Sequence, residues 1–213
     1  MKPQTKKKYP FSSLLARKNT PGEKKIARQE SSLFFRRWVK NPTQLGTLAP
    51  ISLSLARRSA ALMDHPEDKI VVEIGAGTGR LSRQLLRAGV KPENFYGVEL
   101  DKELCLFLSK TLPDSTVIHG DAAYLPDLLP SHLVGKVDVL YSVIPLMYLS
   151  PNIRDVIYQA ARSVLKPGGD FFHVCYSPIS PFKDRADIVS TKIISKWVNL
   201  PSGFVWKLDH AEI

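Results

Sequence analysis

Glycines and acidic residues carry the most specific chemical pattern in the sequence. Residues 71–80 read VVEIGAGTGR, so an apolar segment leads directly into three alternating glycines, Gly75, Gly77 and Gly79. Glycines between a strand and a helix let the backbone turn tightly and come close to a ligand. The helix that follows would add free N–H groups and a partial positive charge. This segment therefore predicts a ligand site.

The spacing of the glycines narrows the class of ligand. A dinucleotide site has the pattern G-x-G-x-x-G, whose third glycine would fall at position 80, where this chain has Arg80. Glu73 stands just before the glycines, where its carboxylate would repel a phosphate and would suit a cationic amine or a water network. Both features disfavour a pyrophosphate ligand.

Two further acids follow the next two predicted strands. Glu99 stands twenty residues after Gly79, where a carboxylate can accept both hydroxyls of a ribose. Asp121 follows the third strand and could accept the amino group of an adenine. The ordered set of Glu73, Glu99 and Asp121 predicts an adenosine that carries an amino acid instead of a phosphate. The alternative, helix capping, is expected for Asp101 and in part for Asp121.

Short apolar segments alternate with helical segments, and this alternation predicts a parallel sheet with helices on both faces. The predicted strands cover residues 69–74, 95–99, 116–119, 137–143 and 171–176, with a closing pair at 193–198 and 204–208. The predicted helices cover residues 52–63, 80–88, 102–112, 122–129 and 153–165. Residues 167–169, Pro-Gly-Gly, predict a turn between the last helix and the fifth strand.

Length and composition limit the architecture. The chain has 213 residues, 44% hydrophobic and 23% charged, which suffices for one domain or one domain with an arm. No uncharged stretch reaches the roughly 20 apolar residues of a bilayer span, and no secretory signal is predicted. Cys105 and Cys175 have neither metal-ligand spacing nor a disulfide framework, so we expect no metal and a cytoplasmic location.

Positive charge is concentrated in the arm, residues 1–40, which precedes a domain over 41–213. The arm contains twelve Lys and Arg against two acids, while the domain contains eighteen of each. A neutral domain with a basic arm predicts a tether to RNA or to lipid headgroups. Residues 21–40 predict a basic amphipathic helix with Phe34, Phe35 and Trp38 on its apolar face. This helix either docks on the domain or lies in a membrane interface.

Over about residues 42–208 the sequence resembles the class I S-adenosylmethionine-dependent methyltransferases, most specifically at 71–121. The resemblance implies an α/β, Rossmann-like seven-stranded sheet whose last strand is antiparallel. It also implies S-adenosylmethionine across the carboxyl ends of the strands, with S-adenosylhomocysteine as product. By this resemblance the methionine portion contacts Gly75 and Gly77 and is anchored by Glu73, and the ribose is held by Glu99. The other implied cofactor contacts are Asp121 and Ala122 at the adenine, with Ala76, Gly79, Leu100 and Ser142.

The segment after the fourth strand, residues 142–148, is expected to define the methyl acceptor. Enzymes that methylate an adenine amine have Asn or Asp, any residue, Pro and an aromatic there, so that a flipped base is bound and stacked. This chain has Val143 in place of the polar residue and Leu146 in place of the aromatic. The pattern argues against a nucleic-acid substrate and indicates an apolar pocket.

Segments around that pocket resemble the bacterial phospholipid N-methyltransferases, which methylate phosphatidylethanolamine. The matching residues are 35–39, Pro42, Gly46, Pro50, Ser142, Pro145, Leu146, Tyr176, Pro178, Ser180, Pro181, 199–201, Val205 and Trp206. The resemblance implies transfer to a lipid amine, giving mono-, di- or trimethylated products. Ile51, His173 and Ser202 depart from the family pattern and leave the headgroup open.

Tyr176 is the candidate for orienting the amine, through its hydroxyl or its ring face, and Ser142 is the second catalytic candidate. The alternative for Tyr176 is a buried strand tyrosine whose hydroxyl is already bonded. The residues expected to contact the lipid or the membrane are Phe34, Phe35, Trp38, Gly46, Pro145, Leu146 and Tyr148. We expect the lipid to enter between residues 46–52 and 142–148.

The expected partner is an anionic membrane surface, reached peripherally from its inner, cytoplasmic face. Each Lys or Arg near such a surface contributes about 1 kcal/mol of attraction, so the arm's charge suffices without a membrane span. Other functions stay open: methylation of an ornithine lipid or a small amine, dimethylation of an RNA adenine, and a non-catalytic adaptor role. The sequence makes no prediction of oligomeric state.

Overall fold

The computed structural model describes residues 51–196 and 203–211. The predicted arm, including Phe34, Phe35 and Trp38, lies outside the described residues, and so does Gly46. The strands are β1 (Val71–Ile74), β2 (Phe95–Glu99), β3 (Thr116–His119), β4 (Val137–Ser142), β5 (Leu165–Cys175), β6 (Ile188–Lys196) and β7 (Gly203–His210). The helices are α1 (Leu53–Ala60), α2 (Arg80–Ala88), α3 (Lys102–Thr111), α4 (Leu125–Leu128) and α5 (Pro151–Val164).

The seven strands form one sheet in the order β3-β2-β1-β4-β5-β7-β6. Neighbours from β3 to β5 are parallel, while β7 runs antiparallel to both β5 and β6. This confirms the predicted α/β sheet with an antiparallel last strand. The chain order reverses between β1 and β4, and a reversal of this kind opens a crevice at the carboxyl ends of the strands.

Strand register brings the predicted site residues to that one edge. Ile74, which ends β1, pairs with Val98 on β2 and with Ser142 on β4. Glu99 pairs with His119, and Ser142 pairs with His173 on β5. The glycine segment, both strand-end acids and the acceptor segment therefore follow neighbouring strand ends.

Alternating strand residues supply two cores, one on each face of the sheet. On one face, Val72 and Leu140 pack with residues of α4 and α5. On the other face, Val71 and Tyr141 pack with residues of α1, α2 and α3. The Tyr141 hydroxyl donates a hydrogen bond of 2.7 Å to the Ser59 carbonyl, which fixes α1 against the sheet.

Two details of the chain path differ from the predictions. The Pro-Gly-Gly sequence at 167–169 lies within β5 and does not form a turn before it. The pairing with β4 is irregular there, since Leu165 pairs with Val137 and Asp170 pairs with Val139. The sixth strand begins at Ile188, five residues before the predicted start, because Ile188 is buried and pairs with His210. Over 51–196 and 203–211, no helix has the length and apolar character to cross a bilayer.

Candidate active site

The glycine segment after β1 forms a tight turn whose glycines have different surroundings. Gly75 has a φ of +72° and Gly77 a φ of +57°, in the left-handed region that favours glycine. A Cβ on Gly75 would lie 2.8 Å from Cγ1 of Ile144, so the turn packs directly against the acceptor segment. A Cβ on Gly77 would meet only the Gly75 carbonyl, at 4.0 Å. The backbone at Gly77 is therefore open to a ligand.

Glu99 ties the end of β2 to this turn. The Gly77 N–H donates a hydrogen bond of 2.6 Å to Glu99 Oε2, and the Asp101 N–H donates one of 2.9 Å to Oε1. Burial raises the pKa of Glu99, while the hydrogen bonds from Asp101 and Gly77 oppose that rise. Glu99 thus places a buried carboxylate beside the open glycine, where hydroxyl groups of a ligand would find an acceptor.

Glu73 is almost completely buried beneath the same turn, on the α2 side of the sheet. Ser82 on α2 donates a hydrogen bond of 2.6 Å to Glu73 Oε2. Burial raises the pKa of Glu73 to about 8, against the lowering effect of the Ser82 hydroxyl, and the charge of Glu99 raises it further. Near neutral pH Glu73 is therefore largely a neutral acid that joins β1 to α2.

The ends of β2 and β3 present an apolar and an acidic side chain next to Glu99. Leu100 is 60% exposed, and its carbonyl lies 3.0 Å from Nε2 of His119. The exposed Asp121 accepts a hydrogen bond of 2.9 Å from the Ala123 N–H, and Ala122 is buried. Asp101 caps α3 by accepting from the N–H groups of Glu103 and Leu104. Capping is confirmed for both aspartates, and in Asp121 the second carboxylate oxygen remains for a ligand.

Ser142 and His173 form a buried polar pair at the ends of β4 and β5. Both side chains are fully buried, and Ser142 Oγ lies 3.4 Å from Nδ1 of His173. Burial lowers the pKa of His173 to about 4, although a hydrogen bond with the Ser142 backbone favours the charged form. Within the described part of the chain, Nε2 of His173 has no hydrogen-bond partner. Ser142 therefore faces a neutral imidazole inside the protein, not an open surface.

Tyr176 and Arg80 meet the start of the described chain at this edge. Arg80 Nη1 donates a hydrogen bond of 3.0 Å to the Ile51 carbonyl, and the Ser52 backbone bonds to the Tyr176 hydroxyl. Burial raises the pKa of the half-buried Tyr176, while the nearby charge of Arg80 lowers it. The Tyr176 hydroxyl is thus already bonded to the backbone, as the alternative interpretation of this residue predicted. The sequence patterns did not single out Arg80, although it directly follows the glycines.

The acceptor segment buries one predicted contact and exposes another. The prediction that Leu146 contacts the lipid is wrong for this conformation, because its side chain is fully buried in the core below the segment. Tyr148 is 76% exposed and its neighbour Met147 is 36% exposed, while Val143 and Pro145 are half-buried. Sequence reasoning did not select Met147, because a short apolar run does not reveal which of its members face outward.

Comparison with known proteins indicates a class of enzyme. Residues 71–169 match a family model described as "Methyltransferase domain". Residues of the chain are 25% identical, over 150 residues, to an ornithine lipid N-methyltransferase of Singulisphaera acidiphila, covering 68% of this chain and 78% of that protein. They are 28% identical, over 134 residues, to ribosomal RNA small subunit methyltransferase A of a Synechococcus species. In that pair, 62% of this chain matches 42% of the relative, so the chain spans less than half of that relative's length.

Solved structures share the fold at low sequence identity. A TehB-like S-adenosylmethionine-dependent methyltransferase from Corynebacterium glutamicum has a TM-score of 0.57 at 14% identity, over 86% of this chain and all of the other. The magnesium protoporphyrin IX methyltransferase of Synechocystis, solved with bound S-adenosylmethionine, has a TM-score of 0.58 at 11% identity, over 92% of this chain and 100% of the other.

Sheet order, glycine turn and strand-end acids define a nucleoside-binding α/β protein of the Rossmann-like class. Together with the match of residues 71–169 to a methyltransferase family model, they support a class I S-adenosylmethionine-dependent methyltransferase. The residues present fit that cofactor. The open backbone at Gly77 lies beside the Glu99 carboxylate, and the exposed Leu100 and Asp121 flank it at the next strand ends.

Proposed function

We propose that this methyltransferase acts on the amine headgroup of a membrane phospholipid, converting phosphatidylethanolamine to its mono-, di- or trimethylated forms. The observation that carries the proposal is the acceptor segment after β4. It buries Leu146, exposes Met147 and Tyr148, and has Val143 where base-methylating enzymes have a polar residue. An apolar entrance suits a lipid headgroup with its attached chains better than a flipped base.

Bound S-adenosylmethionine would supply a methyl group on a positively charged sulfur, which a neutral amine can accept. Gly75, Gly77 and Glu99 would hold its amino-acid and ribose portions, with Asp121 and Leu100 at the adenine. The chain's contribution is then orientation and exclusion of water, because methyl transfer to a correctly placed amine needs little acid–base machinery. This accords with the absence of a paired acid and base in the described acceptor segment.

The acceptor amine must release its proton to water before it can receive a methyl group. Near Tyr176 the charged guanidinium of Arg80 and the surrounding apolar side chains both disfavour a second cation. An amine that enters there would have a lowered pKa, and its neutral fraction would rise. The ring face of Tyr176 would then orient it, and would also stabilise the positive charge that each methyl transfer moves from sulfur to nitrogen.

An ornithine lipid is the second candidate substrate. The specific observation in its favour is the 25% identity to an ornithine lipid N-methyltransferase. Both candidates present an amine on a membrane-embedded molecule, so the same edge of the sheet would receive either one. The likeness to a ribosomal RNA methyltransferase covers 62% of this chain, but the acceptor segment lacks the polar and aromatic residues of an adenine site.

We also propose that the protein works peripherally at the inner face of an anionic membrane. The basis is charge: residues 1–40 contain twelve Lys and Arg against two acids. An anionic leaflet attracts such a segment by about 1 kcal/mol for each cation near the surface, before screening by salt.

The test is transfer of labelled methyl from S-adenosylmethionine to three acceptors in parallel. These are vesicles containing phosphatidylethanolamine, vesicles containing ornithine lipid, and total RNA, each followed by chromatography. Label in a methylated ethanolamine lipid would support the proposal, and label in ornithine lipid alone would select the second candidate. Label in RNA alone would overturn both. Glu99→Ala is the inactive control, and Asp114→Ala, an exposed acid between α3 and β3, is its matched partner.

A further inference from the structure

Large exposed apolar side chains are concentrated at the carboxyl edge of the sheet. Eleven such residues occur in the described part of the chain, and six of them follow the ends of β2, β3, β4 and β5. These six are Leu100, Tyr124, Met147, Tyr148, Ile153 and Ile179. The other five are scattered over α3, the loop before β4, the outer face of α5 and the edge strand β6.

Four of the six border the acceptor side of the site, and we call Met147, Tyr148, Ile153 and Ile179 the apolar rim. Their exposed fractions are 36%, 76%, 49% and 49%, respectively. Met147 and Tyr148 lie in the turn after β4, Ile153 lies in the first turn of α5, and Ile179 follows β5. The rim therefore lies on three consecutive segments around the acceptor entrance.

The segments that carry the rim are held rigidly from below. The Tyr148 N–H donates to the Pro145 carbonyl at 3.0 Å, and the buried Leu146 anchors the same turn in the core. Arg154 in the first turn of α5 donates a hydrogen bond to the carbonyl of Pro181, which joins the segments after β4 and β5. The exposure of the rim is thus built into the fold.

The described chain also begins at this same edge. The described chain begins at Ile51, whose carbonyl accepts from Arg80 at the start of α2, and the next residue bonds to Tyr176 after β5. The twelve cations of residues 1–40 precede this point in the chain. An apolar surface on a domain that follows a cationic segment in the sequence matches a bilayer with anionic headgroups, which offers both charge and a nearby hydrocarbon layer.

The size of the rim argues against a protein partner. A stable protein interface buries about 800 Å² on each side, which four side chains on three turns do not supply. Tyrosine at its most exposed position is typical of the boundary between lipid and water, where the ring is buried and the hydroxyl stays hydrated.

We infer that the apolar rim is a membrane-contact surface, which inserts into the headgroup region of an anionic bilayer and turns the acceptor entrance toward the lipid. The inference rests on the proposed function, because it assigns the rim to a lipid-embedded substrate. In this orientation the amine reaches the site without leaving the membrane. The rim and the arm are two separate contacts, one apolar and one electrostatic.

Vesicle flotation tests the rim directly. The vesicles contain phosphatidylglycerol and phosphatidylcholine and no primary-amine lipid, so binding does not depend on the substrate. The rim variant is Met147→Ser/Tyr148→Ser/Ile179→Ser, and its matched control is Leu106→Ser/Val134→Ser/Val189→Ser, three exposed apolar residues elsewhere. We expect at least a tenfold loss of vesicle partitioning for the rim variant and wild-type partitioning for the control. Equal partitioning of the two variants would overturn the inference.

Salt separates the two contacts. High salt should weaken the vesicle binding that the arm provides. The difference in vesicle partitioning between the rim variant and the control should persist, since screening acts on charges and not on apolar burial. A rim effect that disappears in high salt would contradict apolar insertion. Thermal unfolding and calorimetric titration with S-adenosylmethionine verify that both variants are folded.

These experiments also distinguish a failure of the rim inference from a failure of the proposed function. Rim-dependent binding without lipid methylation would refute the proposed substrate alone. Lipid methylation with unchanged binding of the rim variant would refute the rim alone. If the rim variant changed the sedimentation of the free protein from dimer to monomer, the rim would be an interface between copies and the membrane assignment would be wrong.

Discussion

The backbone N–H of Gly77 donates a hydrogen bond of 2.6 Å to Oε2 of Glu99. Through this bond the residue that ends β2 holds the middle of the turn that follows β1. The same carboxylate accepts from Asp101 at 2.9 Å, so it organises the glycine turn and the start of α3 together. The cofactor site is therefore preorganised across two neighbouring strands.

Replacing Glu99 with alanine should abolish binding of S-adenosylmethionine. The substitution removes the expected ribose acceptor and two charge-assisted hydrogen bonds, each worth about 1.5–3 kcal/mol. Calorimetric titration checks this, with Asp114→Ala as the matched loss of an exposed carboxylate. Wild-type affinity in Glu99→Ala would show that the cofactor lies elsewhere, and vesicle binding should be unchanged in both variants.

Two glycine substitutions separate backbone strain from close packing. Gly75 and Gly135 have φ values of +72° and +74°, but a Cβ on Gly135 would meet nothing within 4 Å, whereas one on Gly75 would meet Ile144. Each alanine should cost roughly 1–2 kcal/mol of stability for its left-handed backbone. Gly75→Ala should cost more, and should also impair cofactor binding and methyl transfer by displacing Ile144. Urea unfolding and activity assays measure both effects, and equal losses in the two variants would contradict the packing argument.

Glu73 should make the protein less stable as the pH rises. Its pKa is about 8 in the folded protein and 4.5 when exposed, so between these values the folded state retains a proton that the unfolded state releases. The free energy of unfolding then falls with rising pH, by at most about 1.4 kcal/mol per pH unit for one proton. Urea unfolding from pH 5 to pH 9 should show this slope in the wild type and a flatter one in Glu73→Gln. Parallel curves would contradict a buried, protonated Glu73.

His173 should have the opposite effect at lower pH. Burial lowers its pKa to about 4 from 6.5, so below pH 6.5 the unfolded state takes up a proton that the folded state does not. The stability associated with the neutral imidazole is complete above that value and is lost as the pH falls toward 4. His173→Gln should reduce the loss between pH 6.5 and pH 4. A ring-proton titration by NMR with a midpoint near 6.5 would contradict the burial argument.

Local signals were sufficient to predict much of the fold. Helix α2 has the predicted bounds, because Gly79 precedes it and Gly89 follows it with a φ of +120°. The bounds of β2 and β3 also match their apolar runs. The early start of β6 escaped prediction because Ile188 joins the sheet through His210, a contact between distant residues that the local pattern does not contain.

Those features of the candidate site that depend on the end of a strand could be predicted from the sequence. The strand-end positions of Glu99 and Asp121 were predictable, because apolar runs mark where β2 and β3 end. Which side chains are buried was harder to predict from the sequence. The run around Leu146 contains several apolar residues, and only packing decides that Leu146 faces inward and Met147 outward. The bond between Arg80 and Ile51 likewise depends on a tertiary contact.

Mass spectrometry of the lipid product tests the central claim most directly. Vesicles of phosphatidylethanolamine and phosphatidylglycerol are incubated with the protein and S-adenosylmethionine, and the headgroup fragments are compared with those from Glu99→Ala. The proposed function predicts an ethanolamine headgroup heavier by the mass of one, two or three added methyl groups, in the wild-type sample alone. An unmodified ethanolamine headgroup, under conditions in which the protein binds both cofactor and vesicles, would contradict it.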